Sequence, residues 1–219
     1  MVLDNYRSTL DWWLVPLAKA LRRVHPDVFT WLSLAAAALG GILFWRSGPT
    51  PGGLQLLLGA WALVGLNSVL DLLDGKVAQL TGKASPRGDF LDHAIDRFSD
   101  TAFLLGIAYS PWAGKGIGLA ALAGTLLTSY MGTQAQAVGL KRHYGGLLGR
   151  ADRMVLLLAM PLLQVLWSVS THGADVQIGG LRTSFLELLL AYFAVVGALT
   201  TAQRFVGTLR GFGPDGRLP

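Results

Sequence analysis

No cysteine occurs among the 219 residues, so a disulfide framework and a thiolate metal site are both excluded. Charge is scarce as well. Only 14% of residues are Asp, Glu, Lys or Arg, 52% are hydrophobic, and the mean hydropathy is +0.48. This composition is too apolar for an ordinary soluble domain and points to a membrane protein. The net charge of +5 does not indicate nucleic-acid binding, because the basic residues are scattered between apolar runs. The four histidines, at 25, 93, 143 and 172, lie far apart in sequence, so a Cys–His metal set is not expected. The opening stretch MVLDNYRSTLDWWLVPLAKALRRVHPD has acids and a proline in its apolar part and no small-residue cleavage site, unlike a signal peptide.

What the chain does have is long apolar runs. A membrane helix needs about 20 largely apolar residues. Uncharged runs of that kind cover 28–45, 53–70, 116–140 and 154–174, and two further spans carry acids, at 88–110 and 183–203. The expected fold is therefore an all-α integral membrane protein of six transmembrane helices. Ahead of them, Trp12, Trp13, Leu14, Leu17 and Leu21 alternate with Asp11, Lys19, Arg22 and Arg23. This suits an N-terminal interfacial amphipathic helix, or one packed on the protein's own face. Residues 1–27 are read as that juxtamembrane segment, 28–210 as the membrane domain and 211–219 as a tail. With six spans both ends share one side. Basic residues crowd that side, in segments 19–23, 76–87, 141–153 and 204–217 together with Arg7, whereas the other has Arg46, Lys115 and Arg182. The positive-inside rule makes the crowded side cytoplasmic, with the protein in the plasma or inner membrane.

Against this background the acids are unevenly placed. Asp71 and Asp74 end the second span, and Asp89, Asp92, Asp96 and Asp100 begin the third, so six of the thirteen acids fall within thirty residues. Spacings of three and four put side chains on one helix face. Two helices joined by a short loop can point the two sets at each other, and clustered carboxylates repel unless a cation neutralises them. Carboxylate oxygens are hard ligands suited to Mg²⁺, Mn²⁺ or Ca²⁺. The alternative is that the acids pair with Arg87, Arg97 and Arg153 and only hold helices together; ionisable groups at membrane depth are more often functional.

Written as a pattern, Asp71-x2-Asp74-Gly75-x2-Ala78-Gln79-x8-Gly88-x3-Asp92-x3-Asp96 resembles the signature of the CDP-alcohol phosphatidyltransferases. It departs only at Gln79, where the family has Arg. The resemblance implies transfer of a phosphatidyl group from a CDP-diacylglycerol-type lipid to the hydroxyl of a small alcohol, with release of CMP. It implies Mg²⁺ or Mn²⁺, two ions, held by Asp71, Asp74, Asp92 and Asp96, with Asp96 as the base that takes the acceptor proton. Asp27, Thr30, Gly75, Gln79, Ser85 and Gly88 would meet the donor. At Gln79 the lost charge could weaken donor binding by about 1–3 kcal/mol, unless Lys76, Lys83 or Arg87 compensates.

For the acceptor, FLDHAIDRFSD and the GRADRM turn are similar to the inositol-phosphate branch of the family. That likeness implies a polyol-phosphate acceptor recognised by Arg150, Arg153 and Arg204. Gly132, Gln134 and Gln136 depart from that branch, which tends to have Lys, Arg and Glu there. A glycerophosphate-type acceptor is the alternative within the family, and its usual Pro and Lys near the aspartates are missing. Membrane lipid is an expected partner, nucleic acid is not, and the family implies a homodimer. Among other classes, a UbiA-type prenyltransferase has different aspartate spacing and more spans. A divalent-cation transporter would place its carboxylates near the midplane, often in repeated halves, and neither is expected here.

Overall fold

The computed structural model describes residues 11–140 and 145–213. The described chain forms α1 (Asp11–Ala20), α2 (Pro26–Arg46), α3 (Pro51–Thr81), α4 (Pro86–Ala108), α5 (Lys115–Ala137) and α6 (Arg150–Thr171). A hairpin of β1 (Val176–Ile178) and β2 (Leu181–Thr183) then leads into α7 (Phe185–Leu209). Lys141, Arg142 and His143, as well as Arg7, Arg217 and most of the tail 211–219, lie outside the described residues.

The helix starts follow local chemistry. Pro51 and Pro86 sit at first-turn positions, where a missing N–H costs nothing. The side chain of Thr50 accepts from the Gly53 N–H at 3.1 Å, and that of Ser85 accepts from the Gly88 N–H at 3.2 Å. At the other end of α3 the chain turns through Gly82, whose φ of 66° lies in the left-handed region where glycine is favoured. Only residues 82–85 then separate α3 from α4, so the two must run antiparallel with their acid-bearing ends together.

Helices α2, α3 and α4 form one packed group, and α5 with α7 another, with α4 and α6 joining them. Backbones approach closely where side chains are smallest. A Cβ on Gly106 would collide with the Gly41 carbonyl, and one on Gly124 would stand 3.0 Å from the Phe193 carbonyl oxygen. Small residues at crossings are how helices gain van der Waals contact where lipid is as apolar as their own side chains. Phe44 and Phe103 meet edge to face, centroids 6.2 Å apart, within a core that continues through Leu57, Val64, Ile107 and Phe193. Large apolar side chains such as Trp31, Ile42, Val195 and Leu199 point outward, as expected of a surface facing acyl chains.

All six expected long helices are present. Four of them, α2, α3, α6 and α7, are long and apolar enough to cross a membrane on length and composition alone. Helix α4 falls short because it carries Arg87, Asp89, Asp92, Asp96, Arg97 and Asp100, and α5 because glycine, threonine and glutamine dilute its apolar residues. Helix α1 packs Leu14 and Ala18 against Leu73, Val77 and Phe29 and pairs Asp11 with Lys76 at 2.6 Å, while Trp12 remains 79% exposed. It thus covers the end of α3 with one face and leaves an aromatic on the other. The hairpin is an addition to the all-α fold expected from the sequence. Its signal was Gly179-Gly180, at φ 57° and 86°, between two apolar-edged triplets, a glycine pair suited to a two-residue turn.

If the α2–α4 crossing depends on Gly106, Gly106→Leu should lower the Tm in detergent, because overpacking a tight contact costs about 1–3 kcal/mol. Gly116→Leu, where an added Cβ meets nothing within 4 Å, should leave the Tm unchanged.

Candidate active site

The α3–α4 turn brings the two acidic sets together. One oxygen from each of Asp71, Asp92 and Asp96 lies within 4.8 Å of the others, although one residue is on α3 and two on α4. Asp96 is buried, and Asp71 and Asp92 are partly so. Arg150, the first residue of α6, closes the cluster. Its guanidinium donates to both Asp71 oxygens, at 2.8 and 2.7 Å, and also contacts Asp96. The fork geometry makes this the strongest kind of ion pair a protein builds.

One helical turn further into the bundle the arrangement repeats. Arg153 donates to Asp100 at 3.0 Å with both side chains almost wholly buried. Arg97 lies 3.5 Å from both Asp96 and Asp100 and donates to Ser129 of α5. Because Arg150 meets Asp96 while Arg153 meets Asp100, α4 and α6 advance in the same direction here. The helix-pairing alternative considered from sequence is thus realised alongside the carboxylate cluster. Arg153 and Arg97 hold helices together, whereas Arg87 pairs with Asp27 on the exposed side.

The remaining candidates fall around this centre. Asp74 is buried and stands apart from the three-carboxylate cluster, its Oδ2 accepting from Thr30 Oγ1 at 2.7 Å. Thr30 is therefore oriented by an aspartate. Asp27 is held by Arg87 and stands 3.6 Å from His25. Gly75 faces open space, with no atom within 4 Å of an added Cβ, and Gln79 is exposed. Ser85 and Gly88 form the helix cap described above. Asp89 is exposed beside His93. Arg204 donates to the backbone carbonyls of Gly145 and Thr128, at 2.9 and 2.6 Å. Of the three arginines expected at the acceptor, two pair with aspartates of the acidic end, and the third, on α7, holds the backbone of α5 and of the segment before α6. Buried Nε atoms of Arg150 and Arg153 have no hydrogen-bond partner.

The CDP-alcohol phosphatidyltransferase model matches residues 23–202, nearly the whole helical bundle and all of the acidic centre. The chain belongs to the CDP-alcohol phosphatidyltransferase family. It is 32% identical to the phosphatidylinositol phosphate synthase of Cutibacterium acnes over 95% of this chain and 98% of that one. It is 30% identical to the archaetidylinositol phosphate synthase of Aeropyrum pernix, over 75% and 81% respectively. The fold is similar to that of Mycobacterium tuberculosis phosphatidylinositol phosphate synthase with CDP-DAG bound. There the TM-score is 0.68 at 23% identity, covering 90% of this chain and 93% of that one. The same enzyme in complex with manganese and citrate gives 0.67 at 23% identity, covering 89% and 88%.

As a CDP-alcohol phosphatidyltransferase, the chain is a membrane enzyme that moves a phosphatidyl group from a CDP-linked lipid to an alcohol hydroxyl. The donor set fits a divalent ion on its chemistry. Oxygens around an octahedral Mg²⁺ or Mn²⁺, each about 2.1 Å from the ion, lie about 3–4 Å apart, close to the spread found for Asp71, Asp92 and Asp96. What sequence reasoning missed is the engagement of Arg150 with Asp71, seventy-nine positions away. The only signal was the arginine at the start of the GRADRM turn, which the family resemblance assigned to the acceptor.

The buried Arg153–Asp100 pair makes a direct prediction. Arg153→Met leaves the buried Asp100 carboxylate only its 3.5 Å contact with Arg97 and should destabilise the protein by about 3 kcal/mol, whereas replacing both Arg153 and Asp100 with apolar residues should cost much less. Thermal unfolding of Arg153→Met, Asp100→Leu and the double variant in detergent checks this.

Proposed function

We propose that the enzyme transfers the phosphatidyl group of a CDP-diacylglycerol-type donor to the hydroxyl of an inositol phosphate, releasing CMP. The observation that carries the reading is the convergence of Asp71, Asp92 and Asp96 from two helices, closed by Arg150, in a chain of this family. The phosphorylated acceptor is favoured by the buried, partnerless Nε atoms of Arg150 and Arg153, three residues apart on one helix face. An anion is what such donors lack, and guanidinium forks suit phosphate better than neutral polyol hydroxyls. The names of the bacterial and archaeal relatives point to the same acceptor class.

In this reading Asp71, Asp74, Asp92 and Asp96 would hold Mg²⁺ or Mn²⁺, with two ions expected. Bound there, a divalent ion neutralises charge on the donor diphosphate during in-line displacement at phosphorus. Asp96 removes the acceptor hydroxyl proton, a role suited to a carboxylate deeper along α4 than Asp92. Thr30 fixes the rotamer of Asp74. The open backbone at Gly75 allows close approach of the nucleotide, with Asp27, Gln79, Ser85 and Gly88 around it. Arg204 completes the acceptor side by holding the backbone of α5 and of the segment before α6.

For topology we infer six crossings, α2 to α7, with both termini and the acidic end cytoplasmic. The sorting of basic residues supports that orientation, and α1 lies at the interface with Trp12 outward. Residues 28–210 form the catalytic unit, 1–27 the juxtamembrane segment and 211–219 a tail. The enzyme works as a homodimer in the plasma or inner membrane.

The test is CMP release with CDP-diacylglycerol and equal concentrations of myo-inositol 1-phosphate, glycerol 3-phosphate, free inositol and serine. Inositol phosphate should be used at least tenfold faster than the others. Preference for an unphosphorylated alcohol would remove the arginine pocket from the acceptor role. In the same assay, Asp96→Asn should lower kcat by about 10²–10⁴, the usual worth of a general base, while sparing CDP-lipid binding.

A further inference from the structure

Beneath the acidic cluster, on the side away from the α3–α4 turn, lies a second polar layer that no role described above explains. Its centre is Asn67, 1% exposed, one turn before Asp71 on the same face of α3. The amide of Asn67 donates to two neighbouring helices at once: to the Ser33 carbonyl of α2 at 2.9 Å and to Ser99 Oγ of α4 at 3.3 Å. Ser99 stands three residues after Asp96, as Asn67 stands four before Asp71. The Asn67–Ser99 bond is therefore the α3–α4 contact one turn below the Asp71–Asp96 contact, in register with it.

The layer also reaches the fourth aspartate. Ser33 Oγ donates to the Thr30 carbonyl at 2.7 Å, and Thr30 Oγ1 donates to Asp74. A continuous hydrogen-bonded path thus runs from Ser99 through Asn67, Ser33 and Thr30 to Asp74, touching α4, α3 and α2. The crossing that brings α2 and α4 together is so tight that a Cβ on Gly41 would run into the Ala102 backbone. With those two helices pressed together, Asn67 is the polar group of α3 that bonds to both of them, so its bonds restrict how far α3 slides or rotates. A rotation of one residue on α3 would turn Asp71 about 100° away from α4.

A simple packing role would be served equally well by leucine, which has nearly the same shape. Asparagine is a costly choice here, because the Oδ1 atom of Asn67 is buried without a hydrogen-bond partner. Removing the amide takes a donor from the Ser33 carbonyl and from Ser99 Oγ, at a cost to stability. Retention of the amide at this depth is explained by its two directional N–H bonds.

We infer that Asn67, acting through Ser99 and Ser33, is a positioning residue for the cation-binding aspartates. It fixes the register of α3 against α2 and α4, so that Asp71 meets Asp92 and Asp96. The inference rests on the cation-binding role proposed above for those carboxylates.

The experiment measures Mn²⁺ binding to the purified full-length protein in detergent by electron paramagnetic resonance, with Tm and CMP-release kinetics alongside. Four variants are compared: Asn67→Leu, Ser99→Ala, Gln164→Leu and Asp92→Asn. Gln164 is buried and ties α6 to the segment before the hairpin and to the start of α7, away from the acidic end. Gln164→Leu therefore reports what loss of a buried amide does to stability alone. Asn67→Leu should keep a Tm within a few degrees of the parent, weaken Mn²⁺ binding at least tenfold and lower kcat, with the acceptor KM within twofold. Ser99→Ala should do the same more weakly, and Gln164→Leu should leave Mn²⁺ binding unchanged whatever its Tm. If Asn67→Leu binds Mn²⁺ as the parent does while Asp92→Asn does not, the positioning role is wrong and the cation site stands. If Asp92→Asn also binds Mn²⁺ unchanged, the cation reading itself fails.

Discussion

Like charges brought together at the end of an apolar bundle are the constraint on which the rest of this structure depends. Three carboxylates within 4.8 Å repel strongly where water is sparse, and they stay together only if positive charge lies among them. Arg150 supplies such charge through a forked pair with Asp71 and a contact to Asp96. The stability and the chemistry of the site therefore share one requirement. The residues able to hold a divalent cation are those that most need a counter-charge. A guanidinium among them keeps the fold intact without filling every lone pair.

The fold meets this requirement by stacking layers. Three helix ends meet at the cluster: α3 and α4 through their four-residue turn, and α6 through Arg150. One turn deeper, the Arg153–Asp100 pair and the Asn67–Ser99 bond tie the same helices again, and Arg97 carries the network to α5. A buried ion pair contributes little net stability against a well-packed apolar substitute. Its value in this setting is directional. Apolar helices in lipid can slide past one another at little cost, whereas paired charges and amides permit one register. Rigid placement of carboxylates is what general-base and cation chemistry require.

Much of this was legible in the sequence. The six long helices followed from apolar runs, and the meeting of Asp71 with Asp92 and Asp96 followed from helical spacing and a short loop. Asp74 shows the limit of that argument. Its spacing put it beside Asp71, but a turn of three residues rotates it about 60° around the helix, enough for Thr30 of α2 to take it. The family resemblance places Arg150 at the acceptor, and nothing local reveals its additional partner Asp71 on α3. Asn67 stood out only as a superficial likeness, with Asp71, to a prenyltransferase motif, since a polar residue in an apolar run gives no sign of which helices it faces. The hairpin escaped because two three-residue strands are too short for alternation to register. For Asp74, Arg150 and Asn67 the missing information was long-range contact, which periodicity does not contain.

The central claim is that Asp71, Asp92 and Asp96 form a cation-binding catalytic centre rather than a purely structural ion cluster. Anomalous diffraction at the manganese edge, from crystals of the enzyme grown with Mn²⁺, tests it most directly. The account predicts an anomalous peak bound by oxygens of all three carboxylates. An enzyme active with Mn²⁺ whose crystals show no peak there, with Arg150 still forked onto Asp71, would contradict it.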